Sequence, residues 1–90
     1  MSYTKDNIPK ELIEAARFIS EDKLKKAEPI LRDYLKNYPL DVNAMKLLGD
    51  IGVKFRAYKD AGYLFSRALD LSPEYDEARL SYANLLYKRQ

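Results

Sequence analysis

Apolar residues return along this chain at steps of three and four, the spacing that lines one side of a helix. In "PKELIEAARFIS", residues 9–20, Leu12, Ala15, Ala16 and Ile19 fall together, with Pro9 at the first turn, where its missing N–H costs nothing. "KLKKAEPILRDYLKNY", residues 23–38, puts Leu24, Ala27, Leu31, Tyr34 and Leu35 on one stripe. Asp22 suits a cap at its start, and Pro39 bars its continuation. Asp41 then caps a third helix over 42–57, a fourth covers 58–71, and Ser72 and Pro73 lead into a fifth over 74–89. With short polar turns and no alternating pattern of the strand kind, the chain reads as all-α.

The same letters come back in a fixed frame. Ala15, Gly49 and Ala83 stand 34 residues apart, as do Ala27 and Ala61, Leu31 and Phe65, Leu35 and Leu69, and Pro39 and Pro73. Small residues at such intervals suit helix crossings, since a bulky group there would force the helices apart at about 1–3 kcal/mol. The pattern predicts that Ala15 and Gly49 receive the partner helix near Ala27 and Ala61.

The run Leu48–Gly49, Tyr58, Ala61, Phe65, Ala68, Leu69, Pro73 resembles the tetratricopeptide repeat, a 34-residue helix–turn–helix unit. The resemblance implies a lead-in over 1–7, repeats over 8–41 and 42–75, and the lone first helix of a third over 76–90. It implies antiparallel helix pairs stacked into a short right-handed superhelix of five helices. First helices of successive repeats line a concave groove in that family. Here they would offer Leu12, Ala16 and Ile19, then Asn43, Lys46, Asp50 and Lys54, then Leu80, Asn84, Tyr87 and Lys88. Contacts to a partner are expected from Lys46, Asp50, Lys54, Asn84, Tyr87 and Lys88. The family's clamp for a C-terminal carboxylate needs Lys and Asn in the first helix, but Leu12 and Ala16 stand there. Other departures are Glu11 and Glu14 where the family favours apolar residues, Arg56 in a turn that usually holds Gly, Gly52 for an aromatic, Gly62 within a helix, and Pro29, expected to bend its helix.

Composition narrows the function further. Sixteen Lys and Arg against fourteen Asp and Glu leave a net charge of +2, too weak a field to imply nucleic acid. The cluster Lys23, Lys25 and Lys26 reads as a solvated first turn, and Asp50 and Glu77 interrupt any basic stripe for RNA. There is no His and no Cys, so the usual general bases, nucleophiles and metal ligands are missing. No catalytic residue, metal or cofactor is expected, and no Gly-rich phosphate loop is present. No apolar run approaches the roughly 20 residues of a membrane span, and the polar start lacks a signal-peptide core; a cytoplasmic location is the expectation.

The leading expectation is a non-catalytic module that binds another protein, a peptide, or another part of its own parent chain. The alternative is the repeat region preceding an enzyme domain, because residues 45–89 also resemble the repeats ahead of a sulfotransferase domain in some bacterial proteins. The fifth helix lacks a mate, which predicts a piece of a longer protein. It is also apolar on most sides, so Tyr82, Ala83 and Leu86 are expected to face water and to mediate a homodimer, with Leu86 near its centre.

Overall fold

The computed structural model describes residues 7–88. They form five helices: α1 (Lys10–Ser20), α2 (Leu24–Asn37), α3 (Val42–Lys54), α4 (Tyr58–Leu71) and α5 (Asp76–Lys88), with no strand among the described residues. The fold is all-α. Connections of three or four residues leave each helix no choice but to fold back on the one before it. No helix among the described residues is long and apolar enough to cross a membrane.

The 34-residue interval is written into the backbone as well as the letters. Shifting α2 by that interval gives the bounds of α4, and shifting α3 gives those of α5. The turns after α1 and α3 match atom for atom. Glu21 and Phe55, the last half-helical residues, have φ/ψ of −90°/5° and −87°/2°. Asp22 and Arg56 follow in the left-handed region, at φ 61° and 62°. The N–H of Lys23 then donates to the Phe18 carbonyl at 2.7 Å, and that of Ala57 to the Gly52 carbonyl at 2.8 Å. Both are Schellman closures, a motif that usually places Gly at the left-handed position. Asp22 is therefore not the cap of α2, as the sequence suggested: its backbone ends α1, and Lys23 precedes α2 with no side-chain cap bond. Similarly, Pro9 stands just before α1, where its carbonyl accepts from the N–H groups of Leu12 and Ile13. Ser72 closes α4 instead of opening α5.

Packing centres on α3, which meets all four other helices. Leu12 and Ala15 of α1, Ala27, Leu31 and Tyr34 of α2, and Ala44, Leu48 and Ile51 of α3 form the largest buried cluster. Val42, Met45, Ala68 and Ala78 form a second, and Ala61, Phe65 and Leu85 a third. The crossing of α3 and α4 is closer than the sequence implied and is shared differently. A methyl group on Gly49 would lie 2.5 Å from Phe65 Cε1, whereas one on Gly52 would lie 3.2 Å from Ala61 Cβ. Gly49 thus receives the Phe65 ring, and Gly52 receives Ala61. An aromatic at Gly52 could not coexist with that approach, which explains its absence. Pro29 lies exposed on the outside of α2, which runs unbroken through it.

One polar lock joins the first two helix pairs. Asp41 is 5% exposed, and its carboxylate accepts from the Ala44 N–H at 3.0 Å, capping α3, and from the Tyr34 hydroxyl at 2.9 Å. The cap fixes where α3 starts, and the tyrosine ties that start to α2.

Candidate functional site

A groove of about 960 Å³ runs between α1 and α3 and is closed at one end by the turn into α5. Its α1 side is apolar: Leu12 lies at the base, and Ile8, Ile13 and Ala16 stand along the wall, with Ile13 54% exposed. The α3 side presents Val42, Asn43, Lys46 and Leu47. Ser72, Glu74, Tyr75 and Glu77 complete the end wall. Helical spacing sets this lining, since Asn43, Lys46 and Leu47 recur at three and four residues on α3 and so project to one side.

The electrostatics of the two ends differ. Lys46 Nζ lies 2.7 Å from Asp50 Oδ2, one turn along the same helix, and the two side chains are only 18% and 25% exposed. That pair is locally neutral, and its half-buried setting strengthens it relative to a fully solvated pair. At the end wall, burial pushes the Tyr75 hydroxyl up to about 12, and the negative charges of Glu77, Asp50 and Asp41 add to the effect. Arg79 is engaged by Asp76 at 2.6 Å and by the Pro73 carbonyl. Neither Glu74 nor Glu77 has a cation within ion-pair distance among the described residues.

Of the residues expected to contact a partner, the structure brings Lys46 and Asp50 together, and Lys46 lines the groove. Lys54 lies exposed at the end of α3, and Asn84, Tyr87 and Lys88 lie exposed on α5; none of these four lines the cavity. Tyr82 corrects another expectation. It is less open to water than Ala83 and Leu86 and packs half-buried against α4, its ring centre 6.4 Å from that of Phe65. Ala83 and Leu86 are exposed, Leu86 at 47%.

Of the expected lining, Leu12, Ala16, Asn43 and Lys46 do border the cavity, while sequence reasoning missed Ile8, Ile13, Val42, Leu47, Ser72, Glu74, Tyr75 and Glu77. The available signal was an isoleucine off the buried stripe of α1, and a tyrosine occupying the slot that Asp41 fills one interval earlier. A second, smaller cavity of about 580 Å³ lies under the turn after α2, lined by Pro9, Tyr34, Tyr38, Pro39 and Leu40. There the rings of Tyr34 and Tyr38 pack with centres 4.7 Å apart. No group of three or more acidic side chains that could hold a metal ion occurs among the described residues. No family model, no curated protein and no solved structure matches this chain.

Proposed function

We propose that this chain is a non-catalytic interaction module of the tetratricopeptide kind, which holds a peptide or protein segment in the groove between α1 and α3. The observation that carries the reading is the exposure of Ile8 and Ile13 along one wall of a groove of about 960 Å³. Apolar side chains standing free in a concave surface gain by being covered, whereas isolated exposed ones on a convex surface need no explanation. The backbone period of 34 residues supports the family assignment, since it fixes helix bounds and turn geometry together. A groove spanning successive first helices suits a partner segment of about two helical turns, or about seven extended residues, by volume. The segment belongs to another protein or to another part of the parent chain, and the cytoplasm is the proposed setting.

A random 12-residue peptide library, displayed and selected on the immobilised protein, tests this. Peptides should be enriched over a bare surface, and Ile13→Glu should abolish their binding while circular dichroism stays unchanged. Lys54→Glu, outside the groove, should bind them as the wild type does. No enrichment, or enrichment indifferent to Ile13→Glu, refutes the reading.

A further inference from the structure

We infer that the segment held in this groove is cationic and amphipathic, with apolar side chains against Ile8, Ile13 and Leu47 and a lysine or arginine at Glu74 and Glu77. The inference rests on the groove being the binding site and adds the chemistry of its occupant.

Three observations set the charge. Among the described residues the lining carries one cation, Lys46, whose charge is already met by Asp50 at 2.7 Å in a half-buried pair. An anionic residue at Lys46 would have to share that ammonium with the Asp50 carboxylate, and so would meet a pair with no net positive charge. At the end wall the balance is the opposite. Glu74 and Glu77 line the cavity without cations among the described residues, and Arg79, the basic side chain nearest in sequence, is engaged by Asp76 and the Pro73 carbonyl. Burial is the main cause of the raised Tyr75 hydroxyl, and the charge of Glu77 adds to it, which is consistent with that carboxylate standing beside the end wall. A cation brought there loses little hydration, because Glu74 and Glu77 are themselves exposed, and it answers two charges at once.

The apolar half of the argument is positional. Ile8 and Ile13 lie on the α1 wall and Leu47 on the α3 wall, while both glutamates belong to the turn and first residues of α5. An occupant lying along the groove therefore meets apolar surface over its length and acidic surface at one end. That asymmetry would set its direction as well as its composition.

The random 12-residue library, selected in parallel on the wild type and on Glu74→Lys/Glu77→Lys, separates this inference from the reading beneath it. Both substituted positions are exposed, so the fold should survive, with circular dichroism as the check. Wild-type selection should enrich peptides bearing Lys or Arg at one end of an apolar stretch. In fluorescence polarisation these should bind the doubly reversed variant about tenfold more weakly and should weaken with added salt. Selection on the reversed variant should favour Asp or Glu instead. Anionic or uncharged peptides that bind the wild type as well as cationic ones, and still depend on Ile13, overturn this inference and leave the groove standing. Cationic peptides that bind the reversed variant undiminished overturn it too. Failure to enrich any Ile13-dependent peptide removes both.

Discussion

Gly49 is where α3 receives the Phe65 ring of α4, and replacing it by alanine perturbs that contact with a single carbon. The new methyl would lie 2.5, 2.9 and 2.9 Å from three carbons of the Phe65 ring. Unstrained carbon pairs rest at roughly 3.5–4.0 Å, so the ring or the helix must move by about 1 Å. The ring has nowhere easy to go, because Phe65 is 0% exposed and is boxed in by Ala61, Leu85 and Tyr82. Two effects oppose each other. Alanine is better than glycine in a helix interior by about 1 kcal/mol, while overpacking a tight site costs about 1–3 kcal/mol. With a contact this short the cost falls at the upper end, and the net loss is about 1–2 kcal/mol, or about 5–15 °C in Tm for a domain of this size. Gly52→Ala is the matched control. Its methyl would meet Ala61 Cβ at 3.2 Å, a contact relieved by a few tenths of an ångström, so its propensity gain and packing cost should cancel to within about 0.5 kcal/mol. Urea unfolding followed by far-ultraviolet circular dichroism measures both. Combining Gly49→Ala with Phe65→Leu should lose less than the sum of the single changes, because the smaller side chain makes room. A Gly49→Ala protein as stable as the wild type would mean that α3 and α4 do not cross through the Phe65 ring.

Four further outcomes follow from other parts of the fold. Asp41→Ala should lose about 2–3 kcal/mol in urea unfolding, removing both the cap on Ala44 and the acceptor of the 2.9 Å bond from the Tyr34 hydroxyl, and Tyr34→Phe should cost less in that background than alone. Arg56→Gly should stabilise by up to about 1 kcal/mol, since left-handed strain of about 1–2 kcal/mol is relieved against a smaller gain in unfolded-chain freedom; a loss of stability would contradict the turn geometry. The Tyr75 hydroxyl, at about 12 in the folded chain and 10 ordinarily, favours the fold while protonated. Its contribution is full below pH 10 and lost as the pH rises through about 12, so ultraviolet titration should show a late step that Tyr75→Phe removes. Leu86, exposed beside Ala83 on α5, is proposed to seat a second copy of the chain: the wild type should sediment as a dimer at about 100 μM and Leu86→Glu as a monomer, and a monomeric wild type ends the proposal.

The helices were legible because their stripes and stops are local. The range 58–71 agrees with α4 residue for residue, bounded by a turn before Tyr58 and by Ser72 and Pro73 after Leu71. Ends marked by weaker signals came out longer than they are: the third helix stops at Lys54, since Phe55 and Arg56 form the Schellman turn instead of another helical one. Asp22 shows the ambiguity at its plainest. Aspartate favours both helix caps and left-handed turns, and only its backbone angle distinguishes them.

The groove was much less legible than the helices. Periodicity says which residues share a face of one helix, but a groove depends on which faces of different helices converge. Asn84, Tyr87 and Lys88 do share a side of α5, yet the cavity reaches only the first turn of that helix, at Glu77. Charge was harder still. Lys46 and Asp50 stand one turn apart and could have been read from the sequence as a pair, but whether such a pair matters depends on burial, which only the packed chain supplies.

Asp41 and Tyr75 show where the repeat stops being informative. They occupy one backbone slot an interval apart: each N–H closes a turn, Asp41 on Tyr38 at 3.2 Å and Tyr75 on Ser72 at 3.1 Å, and each carbonyl accepts the N–H four residues on, at 3.1 Å in both cases. The period therefore fixes the main chain at both places. Side chains put the slot to different use. At Asp41 the carboxylate caps its helix and takes the Tyr34 hydroxyl, which buries it and makes it part of the fold. A phenol at Tyr75 is too long to bend back onto the first N–H groups of α5 as a short carboxylate does, so it extends into the groove wall beside Glu74 and Glu77. The same backbone slot thus carries a buried carboxylate at Asp41 and, at Tyr75, a ring that packs on Val42, Met45, Ala68 and Ala78 while lining the groove.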